Sequence, residues 1–333
     1  MQQKERKVWI DYAKFISIFL VVLFHTNPNL DGYIFDFLKL LRMPAFFLIA
    51  GLLFDINKWN DFTNFFKHRF KRLIVPYFWF SLIFYVLWLA IGRDMVGESE
   101  LMISRITPIK EFLMGTPNVV LAPYWFITCL FCMQILFYLL KKTIHSNIII
   151  ISIAIGLYFV IIYFDFKDLP WCLDKAIRYL PFYTLANILR EKIDSQFLQN
   201  KYILFLSTIS AISLITVDYK YDVSPYTAHL IYITSGFCIM PIYIAFCKFL
   251  ALKSKNSQVI KYVGDNNIVT LALQNYIIGF IKILGMAVFS INLLSTDYYA
   301  INVLIALLTI TISIVCALCI NKYVPFIVGK TYK

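Results

Sequence analysis

The chain has 333 residues, a net charge of +12 and 60% apolar residues, with only 15% charged, where a soluble domain carries about 25%. Its mean hydropathy is +0.73, and no polar stretch is long enough to form a separate soluble body, so the two soluble domains that length alone suggests are excluded. Basic residues are scattered between apolar runs, aromatic residues make up 18% and glycines number only 11, which excludes a nucleic-acid-binding stripe and a glycine-rich phosphate loop.

Apolar runs near 20 residues, the length that crosses a bilayer as a helix, recur from end to end without strand alternation. The fold expected is all-α, a polytopic transmembrane helical bundle in one domain spanning 1–333. About ten spans are predicted, at roughly 8–26, 35–54, 73–92, 119–140, 147–164, 174–189, 201–217, 228–250, 267–289 and 300–321. Arg178 and Pro181 are expected to interrupt the sixth. With the N-terminus inside, the inner segments hold twenty Lys and Arg and the outer segments six, so both termini are expected to be cytoplasmic. The first run is read as a span rather than a signal peptide: Asp11 and Lys14 intrude early, and His25-Thr26-Asn27-Pro28 resembles no small-residue cleavage site.

Charge within a bilayer needs a partner, water or a function. Five cations fall inside the spans, Lys14, Lys39, Arg42, Arg178 and Lys282, against the anions Asp11 and Asp36. Surplus positive charge facing a cavity attracts a phosphate or carboxylate; the plainer alternative is snorkelling or pairing with loop acids. In the first span, Lys14 and His25 are 11 residues apart, about three turns and ~16 Å, so they share a face at opposite depths. Asp11 stands (i, i+3) to Lys14, a spacing that allows mutual neutralisation. A neutral imidazole at position 25 suits removal of a hydroxyl proton near neutral pH, whereas position alone favours a hydrated interfacial histidine.

Arg69 and Arg72 in Lys67-His68-Arg69-Phe70-Lys71-Arg72 are expected to share a helix face just inside the cytoplasmic boundary. They read either as topogenic charge or as a fork for phosphate oxygens of a nucleotide-like co-substrate. Cys129 with Cys132 and Cys316 with Cys319 are C-x-x-C pairs inside apolar runs. They are read as packing residues, since further zinc ligands are missing from the neighbouring sequence. No metal is expected.

Four segments resemble the bacterial acyltransferase family 3 of integral membrane acyltransferases. Trp9-Ile10-Asp11-Tyr12-Ala13-Lys14 followed by Val21-Val22-Leu23-Phe24-His25 is similar to its opening motif, and Arg42-Met43-Pro44-Ala45-Phe46-Phe47-Leu48-Ile49-Ala50-Gly51 to its second-span signature. Arg69-Phe70-Lys71-Arg72 with Pro76-Tyr77 resembles its basic motif, and Pro123-Tyr124-Trp125-Phe126-Ile127 the start of its fourth span. The resemblance implies transfer of an acyl group, usually acetyl from acetyl-CoA or another acyl-CoA, to a hydroxyl of a cell-envelope sugar, polysaccharide or lipid-linked glycan. This places the chain in a bacterial inner membrane among lipids, with acyl-CoA as co-substrate and no permanently bound cofactor.

His25 is then the catalytic histidine, supported by Asp11 and Lys14, with acyl-CoA on Arg69, Lys71 and Arg72. Arg42, Trp125, Arg178, Gln274, Asn275 and Lys282 are candidates for the acceptor. Two departures stand out: Lys14 occupies a position where the family usually has arginine, and Gln274-Asn275 lie where many relatives place a histidine. Asn275 and Lys282 are seven residues apart and are expected to line one cavity. A base near the outer face and a donor head at the inner face leave three routes: the arm threads the bundle, His25 is drawn inward, or an acyl-enzyme relay operates. The alternative function is a transporter, flippase or export partner for an anionic lipid-linked saccharide, with Lys39, Arg42, Arg178 and Lys282 along its path.

Overall fold

The computed structural model describes residues 7–27, 32–92, 104–117, 120, 122–193, 200–254, 257–289 and 298–331; among them there is no strand. The helices are α1 (Val8–Thr26), α2 (Tyr33–Leu53), α3 (Phe62–Arg69), α4 (Val75–Leu87), α5 (Thr107–Met114), α6 (Trp125–Thr143) and α7 (Asn147–Tyr163). They continue with α8 (Leu173–Leu189), α9 (Lys201–Lys220), α10 (Pro225–Ser254), α11 (Gln258–Asp265), α12 (Asn267–Phe289) and α13 (Tyr299–Tyr323). A helix stands over each of the ten expected stretches. Among the described residues, seven helices, taking α3 through α4 as one, are long and apolar enough to cross a membrane.

The fourth and sixth stretches differ from expectation in ways that proline explains. The fourth stretch begins its α-helix at Trp125, because Pro123 falls in the short 3-10 turn Ala122–Tyr124 that precedes it. The sixth is not interrupted: α8 runs through Arg178 and Pro181, as membrane helices do when surrounding groups satisfy the carbonyl that proline leaves without a donor.

The chain forms two compact units, one of Met1–Phe54 with Pro181–Cys316 and the other of Asp55–Leu180 with Ala317–Lys333. In the first, α1 packs against α2, α10, α11 and α12, and α9 against α10 and α2. Apolar burial is joined there by polar ties between helices distant in sequence. The Tyr243 hydroxyl donates to the Ala13 carbonyl at 2.6 Å and accepts from the fully buried Ser17 hydroxyl at 2.9 Å. The hydroxyls of Tyr12 and Ser254 also pair.

The end of α2 is closed from α8 and the turn after it. Asn187 Nδ2 donates to the carbonyls of Gly51 (3.0 Å) and Phe54 (2.9 Å), and Arg190 Nη1 to that of Phe54 (3.0 Å). These bonds add donors to carbonyls that a helix terminus leaves without i+4 partners, and Arg190 puts positive charge where the dipole favours it. Gly51 is required at this crossing, since a Cβ there would collide with the Tyr183 carbonyl.

The second unit relies on rings. Phe65 stacks on Tyr138 with centroids 4.4 Å apart, Tyr77 on Phe112 at 5.2 Å, and Trp79 meets Phe326 edge-on at 5.4 Å. Between α3 and α4 the helix widens into a π turn, Phe70–Ile74, in which the Val75 N–H reaches back five residues to the Phe70 carbonyl. Pro76 accounts for it: proline has no N–H for the Arg72 carbonyl four residues back, and its ring crowds that carbonyl.

Candidate active site

His25 is half-buried in the last turn of α1. Its Nδ1 lies 2.9 Å from the Val21 carbonyl, an oxygen that only accepts, so the neutral ring carries its proton on Nδ1 and its lone pair on Nε2. The buried Thr26 hydroxyl donates to the Leu23 carbonyl at 2.7 Å. Arg42 of α2 lies with its guanidinium carbon 4.6 Å from the centroid of the Phe24 ring, and its charge acts on His25. From α12, Lys282 is only 8% exposed and donates its ammonium to the Thr26 carbonyl at 2.5 Å. The end of α1 therefore joins an oriented imidazole to a guanidinium and an ammonium, the latter at the carbonyl end that favours a cation.

The remaining predicted residues of the first unit are arranged otherwise. Lys14, about three turns from His25, forms its ion pair across to Asp265 of α11 at 3.4 Å, rather than closing on its own helix. Gly264 makes the approach possible: a Cβ there would stand 3.2 Å from Lys14 Cβ and Cδ. Asp11 is buried one turn further down α1. At ~16 Å and more from His25 along the axis, neither residue touches the imidazole. Lys39 pairs with Asp36 in its own helix at 2.7 Å.

The cavity expected for Asn275 with Lys282 is corrected. Asn275 is exposed, while Gln274 is fully buried. The buried face of α12 runs through Thr270, Gln274 and Ile278, and Lys282 at its edge is drawn inward by the Thr26 carbonyl.

The second unit holds the other candidates. The Arg69 guanidinium carbon stands 5.4 Å from the centroid of the Trp59 ring and 5.5 Å from that of Phe65, while Lys71 and Arg72 are exposed. The π turn separates Arg69 from Arg72, so the straight-helix register expected for them does not hold. Trp125 is half-buried at the start of α6, with Lys175 Nζ 5.6 Å from the centroid of its ring. Arg178 is half-buried on α8, and its charge acts on Tyr158. Cys172 donates to the Gly115 carbonyl at 3.2 Å, and burial pushes its thiol up against the opposing pull of Lys175. All seven cysteines are free, and among the described residues no three His, Cys, Asp or Glu form a metal-binding group.

Sequence reading missed the partners: Asp265 for Lys14, the Thr26 carbonyl for Lys282, and Asn187 with Arg190 at the end of α2. The Gly264-Asp265 pair, small residue then acid, was the one local signal.

A family model described as an acyltransferase domain matches residues 7–322. No curated protein and no solved structure matches.

Proposed function

Since the chain belongs to acyltransferase family 3, we propose that it is a bacterial inner-membrane O-acyltransferase, with both termini cytoplasmic, that moves an acyl group, acetyl foremost, from acyl-CoA to a hydroxyl of a cell-envelope sugar, polysaccharide or glycolipid. His25 acts as general base. Nε2 takes the proton of the acceptor hydroxyl as its oxygen attacks the thioester carbonyl. The carbon–sulfur bond breaks, and the departing CoA thiolate takes the proton from the imidazolium, giving an ester and free CoA. The observation that carries this reading is the bond from Nδ1 to the Val21 carbonyl, which holds the ring in the tautomer a base requires. General-base help of this type contributes ~10²–10⁴-fold in rate.

Donor binding falls to Arg69, Lys71 and Arg72, whose charges suit the phosphates of CoA. Cation–π contacts with the Trp59 and Phe65 rings restrict where the Arg69 guanidinium lies, which favours directional bonds to phosphate oxygens. Arg42, whose charge acts on His25, and Lys282 on the neighbouring Thr26 carbonyl favour an acceptor or acyl group that is itself anionic, such as succinyl.

The test is mass spectrometry of envelope glycans from cells with and without the protein. The reading expects one glycan to lose a mass of 42 for acetyl, or 100 for succinyl, in the deleted strain; these are mass differences of the acyl groups, about one ketene or one succinyl unit, set by the chemistry of ester formation. An unchanged acylation pattern with altered export of the glycan would instead support the transport alternative.

A further inference from the structure

Two hydrogen bonds tie α5 alongside α4. The Tyr77 hydroxyl donates to the Phe112 carbonyl at 2.9 Å and the Tyr85 hydroxyl to the Arg105 carbonyl at 3.0 Å, so the two segments run antiparallel. The far end of α5 is pinned as well. Gly115, left-handed at φ +65, turns its carbonyl to the Thr128 hydroxyl at 2.8 Å and the Cys172 thiol at 3.2 Å. Between the two tyrosine bonds a cavity of about 200 Å³ remains. From α4 it is lined by Phe78, Ser81, Leu82 and Tyr85, the i, i+3, i+4, i+7 face of that helix, and from α5 by Ile109 and Phe112. Segments held at both ends are not free to close on the space, and an empty void forfeits contacts for the atoms around it.

Ser81 is 6% exposed, and its hydroxyl has no hydrogen-bond partner among the described residues, not even the Tyr77 carbonyl one turn back that a helical serine can take. The Tyr85 hydroxyl is already committed to Arg105. A water needs about two to four polar partners, more than one hydroxyl in an apolar wall supplies. The space equals about six or seven methylenes, taken at ~30 Å³ each, the share of a water in the liquid. Its exposed lining residues, Phe78, Leu82 and Ile109, put its opening on an apolar flank, where bilayer chains are the surrounding medium. Arg105 is exposed at the Tyr85 end, one turn or ~6 Å beyond Ser81.

We propose that this cavity binds one acyl chain of a bilayer phospholipid, its ester carbonyl accepting from the Ser81 hydroxyl and its phosphate at Arg105. The carbonyl brings the acceptor that the hydroxyl lacks without bringing charge to membrane depth, and the few bonds from ester to phosphate match the step from Ser81 to Arg105. Hydrophobic transfer does not drive this binding, since the chain leaves one apolar medium for another; filled contacts and the hydrogen bond do. The proposal does not depend on the acyl-transfer reading.

The experiment uses the full chain in phosphatidylglycerol nanodiscs doped with a phosphatidylglycerol whose acyl chain carries a diazirine near the ester, or with its ether-linked analogue, which lacks the carbonyl. After irradiation, mass spectrometry locates the label. In the native chain the ester probe should label 78–85 and 105–112 above the exposed face of α13, and about fivefold more than the ether probe does, the factor one hydrogen bond gives. Ser81→Ala should bring ester labelling down to the ether level, and Arg105→Gln should lower labelling by both probes. Ile109→Trp, which fills the space, should remove the excess over α13; the ester–ether comparison in the native chain decides even where that variant fails to fold. His25→Ala should label as the native chain does, so loss of the catalytic reading would leave this result intact. Label spread evenly over the exposed helices would overturn the proposal, as would equal ester and ether labelling or native labelling in Ser81→Ala. Displacement of the label by octanoyl-CoA would also overturn it, by assigning the cavity to the donor's acyl group.

Discussion

The end of α1 and the π turn between α3 and α4 each gather positive charge, and they hold it in opposite ways. At the end of α1 the Lys282 ammonium is buried against a backbone carbonyl, and Arg42 sits over Phe24. At the π turn Lys71 and Arg72 are exposed, and only Arg69 is steadied, by two aromatic faces. A buried cation has a set position and few alternatives, so it suits a site where one geometry matters. Exposed cations stay hydrated and adjust, which suits capture of a flexible, multiply charged molecule. The contrast teaches that charge number alone does not separate a fixed cation from an adaptable one; the partner of each charge does.

That contrast can be broken most sharply at Lys282. Lys282→Met removes the ammonium and leaves the buried Thr26 carbonyl without its donor, a loss of about 1–3 kcal/mol of stability. Turnover should fall by at least tenfold with little change in donor KM; thermal unfolding and steady-state kinetics on one preparation check both. A normal Lys282→Met enzyme would show that the end of α1 tolerates displacement.

At the π turn the expected pattern is the reverse. Arg69→Ala with Arg72→Ala should raise the KM for acyl-CoA about tenfold or more, each lost charge-assisted bond counting for about 1.5–3 kcal/mol at most, with unfolding temperature nearly unchanged. Arg69→Lys should lose part of this, since the guanidinium contacts with the Trp59 and Phe65 rings are each worth about 0.5–1 kcal/mol. Titration with a non-hydrolysable acyl-CoA analogue measures it.

Gly329 sharpens the same region. It lies in the left-handed conformation (φ +66), packed so that a Cβ would collide with the Lys71 carbonyl. Gly329→Ala should therefore displace the segment after α13 from the π turn and weaken donor binding without touching the charges themselves. An unaltered donor KM would show that the π turn keeps its shape unaided.

The smallest effect belongs to Lys14 and Asp265. Their side chains are 24% and 48% exposed, and a pair so open to solvent contributes about 0–1 kcal/mol. Asp265→Asn should lower stability by no more than that and leave turnover within twofold. A larger loss of activity would restore Lys14 to a catalytic role.

Much of the helical layout was legible because hydropathy registers local composition: each apolar run became a helix, and the bond between His25 and Val21 lies four residues apart on one helix. Pro181 misled, since a proline reads as an interruption in water but is accommodated inside a packed membrane helix. Pro76 misled differently, by widening the turn that separates Arg69 from Arg72. The ties of Lys14 to Asp265 and of Lys282 to Thr26 join segments about 250 residues apart, and no local pattern records which helices pack together. Gln274 and Asn275 were indistinguishable in sequence; only the packing of α12 sends one inward and the other out.

The central claim is that Nε2 of His25 is the base for acyl transfer. The direct measurement is radiolabelled acetyl transfer from acetyl-CoA by the purified full chain, native and His25→Ala, with equal amounts of folded protein confirmed by size exclusion. The account predicts a loss of at least ~10²-fold, in line with removal of a general base, at unchanged affinity for acetyl-CoA. Transfer by His25→Ala at the native rate would contradict it.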